Sequence, residues 1–180
     1  MSKDIKIKKG LDINLKGAAA EVLETAIVSK YFSIRPEDFH DVTPKLTVKV
    51  GSKVKAGEAL FYAKSNEDLK FPSPVSGEVI EISRGEKRRV LAVKIEADQT
   101  QEFVEHAAIN LDTISAEDLK SYLLAGGCWP FIKQRPYDVI ANPSVAPKAI
   151  FVSAYASAPL AADYDFTLKG KEAELQAALT

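Results

Sequence analysis

A small closed β-structure followed by the opening layer of an α/β domain is the fold the sequence predicts, and three observations predict it. Across residues 48–79, short runs of strand-forming residues are punctuated by Gly51, Gly57, Pro72, Pro74 and Gly77 at short, even spacing, the pattern of β-hairpins and not of helices. The order of strand, glycine turn and return strand then recurs around Gly85 over residues 79–90, a weak internal repeat. After Asn110 the texture changes to a capped helix, an apolar run and a second helix.

Each element has its own warrant. Residues 4–8 alternate Ile5 and Ile7 with charges, the period of a half-exposed strand, and Gly10 ends it; residues 11–15 alternate again before the small-residue run 17–20. Residues 26–39 contain an apolar strand with Tyr31 and Phe32 as core or edge aromatics, and Pro36 prevents its continuation as a helix. Within 48–79 the order is a short strand, a turn at Gly51, a turn at Gly57, an apolar strand over 59–63, an acidic loop, and Ser-Pro-Val-Ser-Gly leading into another strand. Gly51, Gly57 and Gly77 stand where the chain turns sharply, where positive φ is cheap only without a Cβ. Residues 102–106 form a further strand. Ser115 caps a helix with Glu117 and Asp118 in its first turn and Leu119, Tyr122 and Leu123 on one apolar face, and Gly126 and Gly127 end it.

Cys128 opens a short helical or turn segment that stops before Arg135-Pro136-Tyr137. Beyond Pro143 and Pro147, the run KAIFVSAY at 148–155 is dense enough for a strand buried on both faces, and 171–179 is a helix with Leu175 and Leu179 in register. One helix, one buried strand and a second helix are too few to cover both faces of a sheet, so the chain reads as the first part of a longer protein. The domain boundary falls at 1–112 for the β-rich module and 113–180 for the first part of a Rossmann-like α/β domain.

Composition narrows the function classes. The 180 residues are 46% hydrophobic, enough for a sizeable core. With 24 basic against 25 acidic residues there is no electrostatic case for nucleic acid; Lys87-Arg88-Arg89 is too short to track phosphates and reads as an exposed hairpin end. The single cysteine, Cys128, forbids an internal disulfide and fits a reducing compartment. The polar, lysine-rich start is no signal peptide, and no run approaches the roughly 20 apolar residues of a membrane span. His40, beside Asp41, and His106 are isolated from any nucleophile or ligand spacing, so neither marks a catalytic or metal site. Cys128 has no second cysteine or basic neighbour to lower its pKa and is expected to be a small buried hydrophobe.

The two strand-turn-strand copies, with SPVSGEV where carriers have A-P-x-x-G-x-V, resemble the hammerhead barrel-sandwich hybrid of biotinyl and lipoyl carrier domains. Counting back from Pro74 places Asn66 where carriers hold their modified lysine; Lys64 and Lys70 flank it out of register. A carrier domain is therefore one alternative function, and a docking barrel is the other.

Read together and in order, IKIKKGLDINLKGA, PEDF, P-K-L-x-V-K-x-G-x-x-V-K-A-G-x-x-L-F, SPVSGEV, RGEKRRVL, L-x-x-G-x-W-x-x-I-x-x-RPY and PKAIFVSAYASAPLAAD resemble NqrA, a component of sodium-pumping NADH:quinone oxidoreductases. The likeness covers essentially all of this chain and only the first part of that family's length. It implies a non-catalytic peripheral subunit, inactive by itself, on the cytoplasmic face of the bacterial inner membrane, in a complex that couples electron transfer from NADH to quinone with sodium export. The implied partners are the complex's other subunits, which carry its flavins and iron-sulfur centre; no cofactor and no metal are expected on this chain.

More distantly the family looks like RnfC and the flavin-binding subunit of respiratory complex I, whose glycine-rich loop after a helix holds a flavin phosphate on bare amides. Here Gly126-Gly127-Cys128-Trp129-Pro130 keeps two glycines, adds bulk at Trp129 and removes a donor at Pro130, so the flavin site is expected to be missing; a flavin-binding fragment is the remaining alternative. A quinone needs an apolar slot with one or two donors. Trp129, Phe131, Arg135 and Tyr137 have that chemistry and are the candidate quinone or partner contacts, while the same residue types after a helix also serve packing.

Overall fold

The computed structural model describes residues 16–17, 20–156, 158 and 160–179. The strands expected at 4–8 and 11–15 lie outside them. Two compact units emerge, one formed by 27–146 and the other by 1–26 together with 147–180.

The first unit is built from antiparallel strands. A four-stranded sheet has β1 (Tyr31–Ile34), β7 (Val90–Ala97), β6 (Gly77–Arg84) and β3 (Lys53–Val54) in that order; a three-stranded sheet has β2 (Pro44–Leu46), β4 (Ala59–Ala63) and β5 (Asn66–Pro72). Register shifts in the β4–β5 and β6–β7 pairs bend the strands and curl the sheets toward each other, as bulges do. Between them Leu60, Phe61, Phe71, Val79, Val93 and Ile95 are excluded from water. Phe71 stacks on Phe61 with ring centres 4.6 Å apart, and the edge of Phe39 meets Phe71 at the same distance. The small closed β-structure predicted from the glycine punctuation, and the barrel-sandwich hybrid implied by the resemblance to carrier domains, are the fold observed.

Two local expectations change. The acidic stretch after Ala63 is strand and not loop: only Lys64 and Ser65 turn, and β5 starts at Asn66. Asp68 and Lys70 lie on the wet face of a strand whose other face buries Leu69 and Phe71, while Glu67 is exposed near its start, so the period-two pattern emerges only over its second half. Gly51 and Gly57 do take positive φ, +85° and +91°, but Gly77 does not. Its requirement is steric: a Cβ there would sit 2.0 Å from the Glu96 carbonyl oxygen, where β6 crosses β7. The predicted strand 102–106 shrinks to a single parallel bridge between Phe103 and Ala56, because its neighbour is the Gly57 turn and not another strand.

The segment between β5 and β6 is held by hydrogen bonds that the motif itself supplies. The buried Ser76 Oγ accepts from the Glu102 amide at 2.9 Å, the Ser76 amide donates to Gln101 Oε1 at 2.7 Å, and Ser73 Oγ donates to the Val75 carbonyl at 2.6 Å. Ser76→Ala leaves the Glu102 amide without its acceptor and is expected to lower stability by about 1–2 kcal/mol, read as a lower urea midpoint. Unchanged stability would mean that the amide finds water instead.

Helix α1 (Ala116–Ala125) starts as the sequence predicts, with Ser115 Oγ accepting from the Asp118 amide at 3.1 Å. Leu119, Tyr122 and Leu123 are half-buried, and Leu124 makes the contact with the barrel core. A two-stranded hairpin, β8 (Lys133–Gln134) and β9 (Val139–Ile140), follows.

In the second unit, α2 (Tyr164–Thr167) is capped by Asp163, whose carboxylate accepts from the Asp165 and Phe166 amides, and α3 (Glu172–Leu179) follows as expected. The run 148–155 is not a strand. Ile150, Phe151, Val152 and Tyr155 are 79%, 90%, 65% and 80% exposed, and among the described residues no segment pairs with them. A strand buried on both faces exists only with neighbours on its edges and layers over its faces.

Candidate functional site

The four candidate contact residues follow α1 directly, and the way that helix ends fixes their placement. The Gly126, Gly127 and Cys128 amides donate to the Tyr122, Leu124 and Leu123 carbonyls at 2.9, 3.2 and 3.0 Å, closing the helix with Gly127 at φ +69°. These are the amides that a glycine-rich anion loop would leave free; here they are engaged with the helix. Gly127 also lies hard against β5, where an added Cβ would stand 2.7 Å from the Pro72 ring.

A single 3-10 turn over Trp129–Phe131 then divides the residues. Pro130 is fully buried, and Trp129 packs on the barrel core while its indole N–H donates to the Ala141 carbonyl at 2.7 Å. That bond ties the root of the β8–β9 hairpin and occupies the one donor the indole has. Phe131 is 70% exposed, its ring edge-on to Phe39 at 6.1 Å. Arg135 and Tyr137 ride on the hairpin turn, both exposed, with Asp138 at positive φ and Lys133 Nζ 4.0 Å from its carboxylate. Trp129 is thus an inward anchor, and Phe131, Arg135 and Tyr137 form an outward face; the four do not converge on one slot. Cys128, expected to be buried, is exposed, since the turn buries Pro130 and leaves the preceding residue on its open side.

Sequence patterns carried no sign of the cleft of about 730 Å³ beside this hairpin. Ser65, Asn66 and Asp68 of the hammerhead tip form one wall, Lys120 and Leu124 of α1 another, and Asn142 the rim. Asn66, at the carrier-lysine register, is half-buried there and accepts from the Asp68 amide at 3.0 Å, while Lys64 and Lys70 point to solvent. The cleft exists because α1 lies against β5, a tertiary contact no local pattern announces. His40 and His106 are exposed, the latter 5.9 Å from the Tyr122 ring, and among the described residues no cluster of His, Cys, Asp and Glu could hold a metal.

A hammerhead barrel joined to α/β sequence, with its tip walled by a helix, defines the class: a barrel-sandwich hybrid followed by an α/β region. Family comparison gives the particular case. The NqrA N-terminal barrel-sandwich hybrid domain matches residues 5–98 and the NqrA second alpha/beta domain matches residues 114–180, so the chain belongs to the NqrA family. It is 36% identical over 178 residues to the NqrA protein of the Na(+)-translocating NADH-quinone reductase of Pseudomonas aeruginosa (strain UCBPP-PA14), covering 98% of this chain and 40% of that protein. The corresponding NADH-quinone reductase proteins of Marinomonas sp. (strain MWYL1) and Serratia proteamaculans (strain 568) are 35% and 37% identical, over 91% and 88% of this chain and 37% and 36% of theirs. The chain therefore spans about 40% or less of the length of these curated relatives. Among the described residues no helix is long and apolar enough to cross a membrane.

Proposed function

We propose that this chain is the docking portion of a peripheral subunit in a sodium-translocating NADH:quinone oxidoreductase, held at the cytoplasmic face of the membrane by the other subunits. Its own task is shape: electron transfer from NADH to quinone and sodium export run through partners that carry the flavins and the iron-sulfur centre, and the isolated chain is inactive. The observation that carries this reading is the paired family match, barrel then α/β, together with the likeness to relatives named as parts of that reductase. Two local features support it. The Gly126–Cys128 amides are committed to closing α1, and the hammerhead tip has Asn66 where an attachment lysine would stand. Phe131, Arg135 and Tyr137 form the contact face, an aromatic and arginine composition common at interface anchors, and Trp129 holds it in place; a quinone reaching this face meets the same residues.

Co-purification tests it. A tagged chain mixed with detergent extracts containing the remaining subunits is expected to retain them, and Arg135→Ala or Tyr137→Ala, both at exposed positions, to reduce retention by about tenfold. Wild-type chain that retains none of them refutes the docking role. Flavin copurifying near one per chain would turn the reading to a redox protein, and a mass gain on Lys64 or Lys70 to a carrier.

A further inference from the structure

The β6–β7 hairpin ends in a cluster of cations that the docking face does not use. Lys45 from β2, Arg84 at the end of β6, and Lys87, Arg88 and Arg89 at the turn line an open cleft of about 450 Å³, and no carboxylate is among its lining residues. Its floor is apolar, from Pro44, Leu46 and the buried Val90. Nearby acids leave most of this charge unspent. Glu37 bonds Arg35 and lies 3.8 Å from Arg89, and Glu67 is 3.9 Å from Lys45. Arg84 donates to the Arg88 carbonyl at 3.1 Å, and among the described residues the side chains of Lys87 and Arg88 meet no anion.

The turn holding those two residues is unusual for its sequence. The Arg89 amide donates to the Glu86 carbonyl at 3.1 Å, and the two residues between, Lys87 and Arg88, both have positive φ, +52° and +62°. Two-residue hairpin turns of that shape favour Asn-Gly or Asp-Gly, which take positive φ cheaply. Here two long cationic residues occupy it instead, so the turn keeps its charge at the expense of backbone ease. Strain of this kind, where a structurally easier choice exists, accompanies binding sites.

We propose, building on the docking role above, that this cleft binds an extended acidic segment of a partner polypeptide, with carboxylates on the basic rim and small apolar side chains on the Pro44–Leu46–Val90 floor. Three arginines suit carboxylates, which their planar guanidinium groups bind in pairs of hydrogen bonds. A segment carrying both acidic and apolar residues matches a lining that carries both cations and apolar side chains. A lipid surface fits less well, because the cations share one cleft with the apolar Pro44, Leu46 and Val90, contributed by β2 and the β6–β7 hairpin end. Attraction of this kind acts mainly on encounter and specificity and fades as salt rises.

The test uses the purified chain and a fluorescent synthetic peptide alternating Glu and Val, followed by anisotropy, with a peptide alternating Gln and Val as control. The Glu peptide is expected to bind, and to bind at least about tenfold more weakly to Lys87→Glu/Arg88→Glu or in about 1 M NaCl. Lys87→Asn/Arg88→Gly guards against misfolding: it suits the turn, so it is expected to lose peptide binding while its melting temperature holds or rises. Equal binding of the Gln peptide, or full binding by either double variant, overturns the proposal. So does sedimentation with vesicles of phosphatidylglycerol and phosphatidylcholine in equal parts that depends on Lys87 and Arg88 while the Glu peptide stays unbound. Failure with the peptide alone condemns the cleft and leaves the docking role to the co-purification result.

Discussion

Gly77→Ala is expected to destabilise the barrel by about 3 kcal/mol or more, the upper end of the cost of forcing an extra carbon into a packed site. The site has no room to give. The new Cβ would lie 2.0 Å from the Glu96 carbonyl oxygen and 3.1 Å from the Ala97 Cα, both backbone atoms of the strand to which β6 is hydrogen-bonded. Relief requires β6 and β7 to part where Gly77 pairs with Ala97, and that opens the sheet beside the buried Val79 and Ile95. Urea unfolding followed by far-ultraviolet circular dichroism measures the effect, and the midpoint is expected to fall by roughly 1–2 M. Gly51→Ala is the control: Gly51 has positive φ, but nothing lies within 4 Å of its Cβ position, so its cost is confined to the backbone, about 1 kcal/mol. Equal losses for the two variants would show that conformation, and not the close approach of the strands, makes Gly77 necessary.

Gly127→Ala is expected to cost about 2–3 kcal/mol, combining an unfavourable left-handed conformation with overpacking against a ring. Its φ of +69° is strained for alanine, and its Cβ would press on Pro72 at 2.7 Å. The consequence differs from that of Gly77 because the contact joins the end of α1 to β5 and lies outside the stacked phenylalanine core. The barrel is expected to survive while α1 and the β8–β9 hairpin lift away from it. Trp129 is the only tryptophan in the chain, so its emission reports this directly: a red shift at urea concentrations where the strand signal is intact. Coincident loss of both signals would mean that helix and barrel form one cooperative unit. If the contact face works as proposed, the same variant also loses retention of the partner proteins.

Much of the barrel could be read from the chain because its signals are local. Gly51 and Gly57 adopt the positive φ their turn positions require, Ser115 caps α1, and the strand around Phe61 is apolar enough to be recognised alone. What could not be read depends on partners distant in sequence. The glycine at 77 looks like another turn glycine until β7 is placed against it, and β5 looks like a charged loop until β4 supplies its neighbour. For 148–155, hydrophobic density suggested burial, yet density says nothing about whether a neighbouring strand exists. In the candidate site, residue types were legible and directions were not. Trp129 and Phe131 sit two residues apart, but the intervening Pro130 is buried in a 3-10 turn that sends one ring to the core and the other to water. The 730 Å³ cleft depends on α1 meeting the hammerhead tip, and the basic cleft on β2 lying beside the β6–β7 turn; neither encounter is encoded in a contiguous stretch.

The outward-facing Cys128 has a practical consequence. It is the sole thiol in the sequence, and it immediately precedes the turn that presents Phe131. A maleimide dye or nitroxide can therefore be attached at one defined point of this 180-residue chain without any substitution. Protection of that sulfhydryl from alkylation, or slowed tumbling of the label, would map an approaching neighbour to within a few ångströms of the hairpin root.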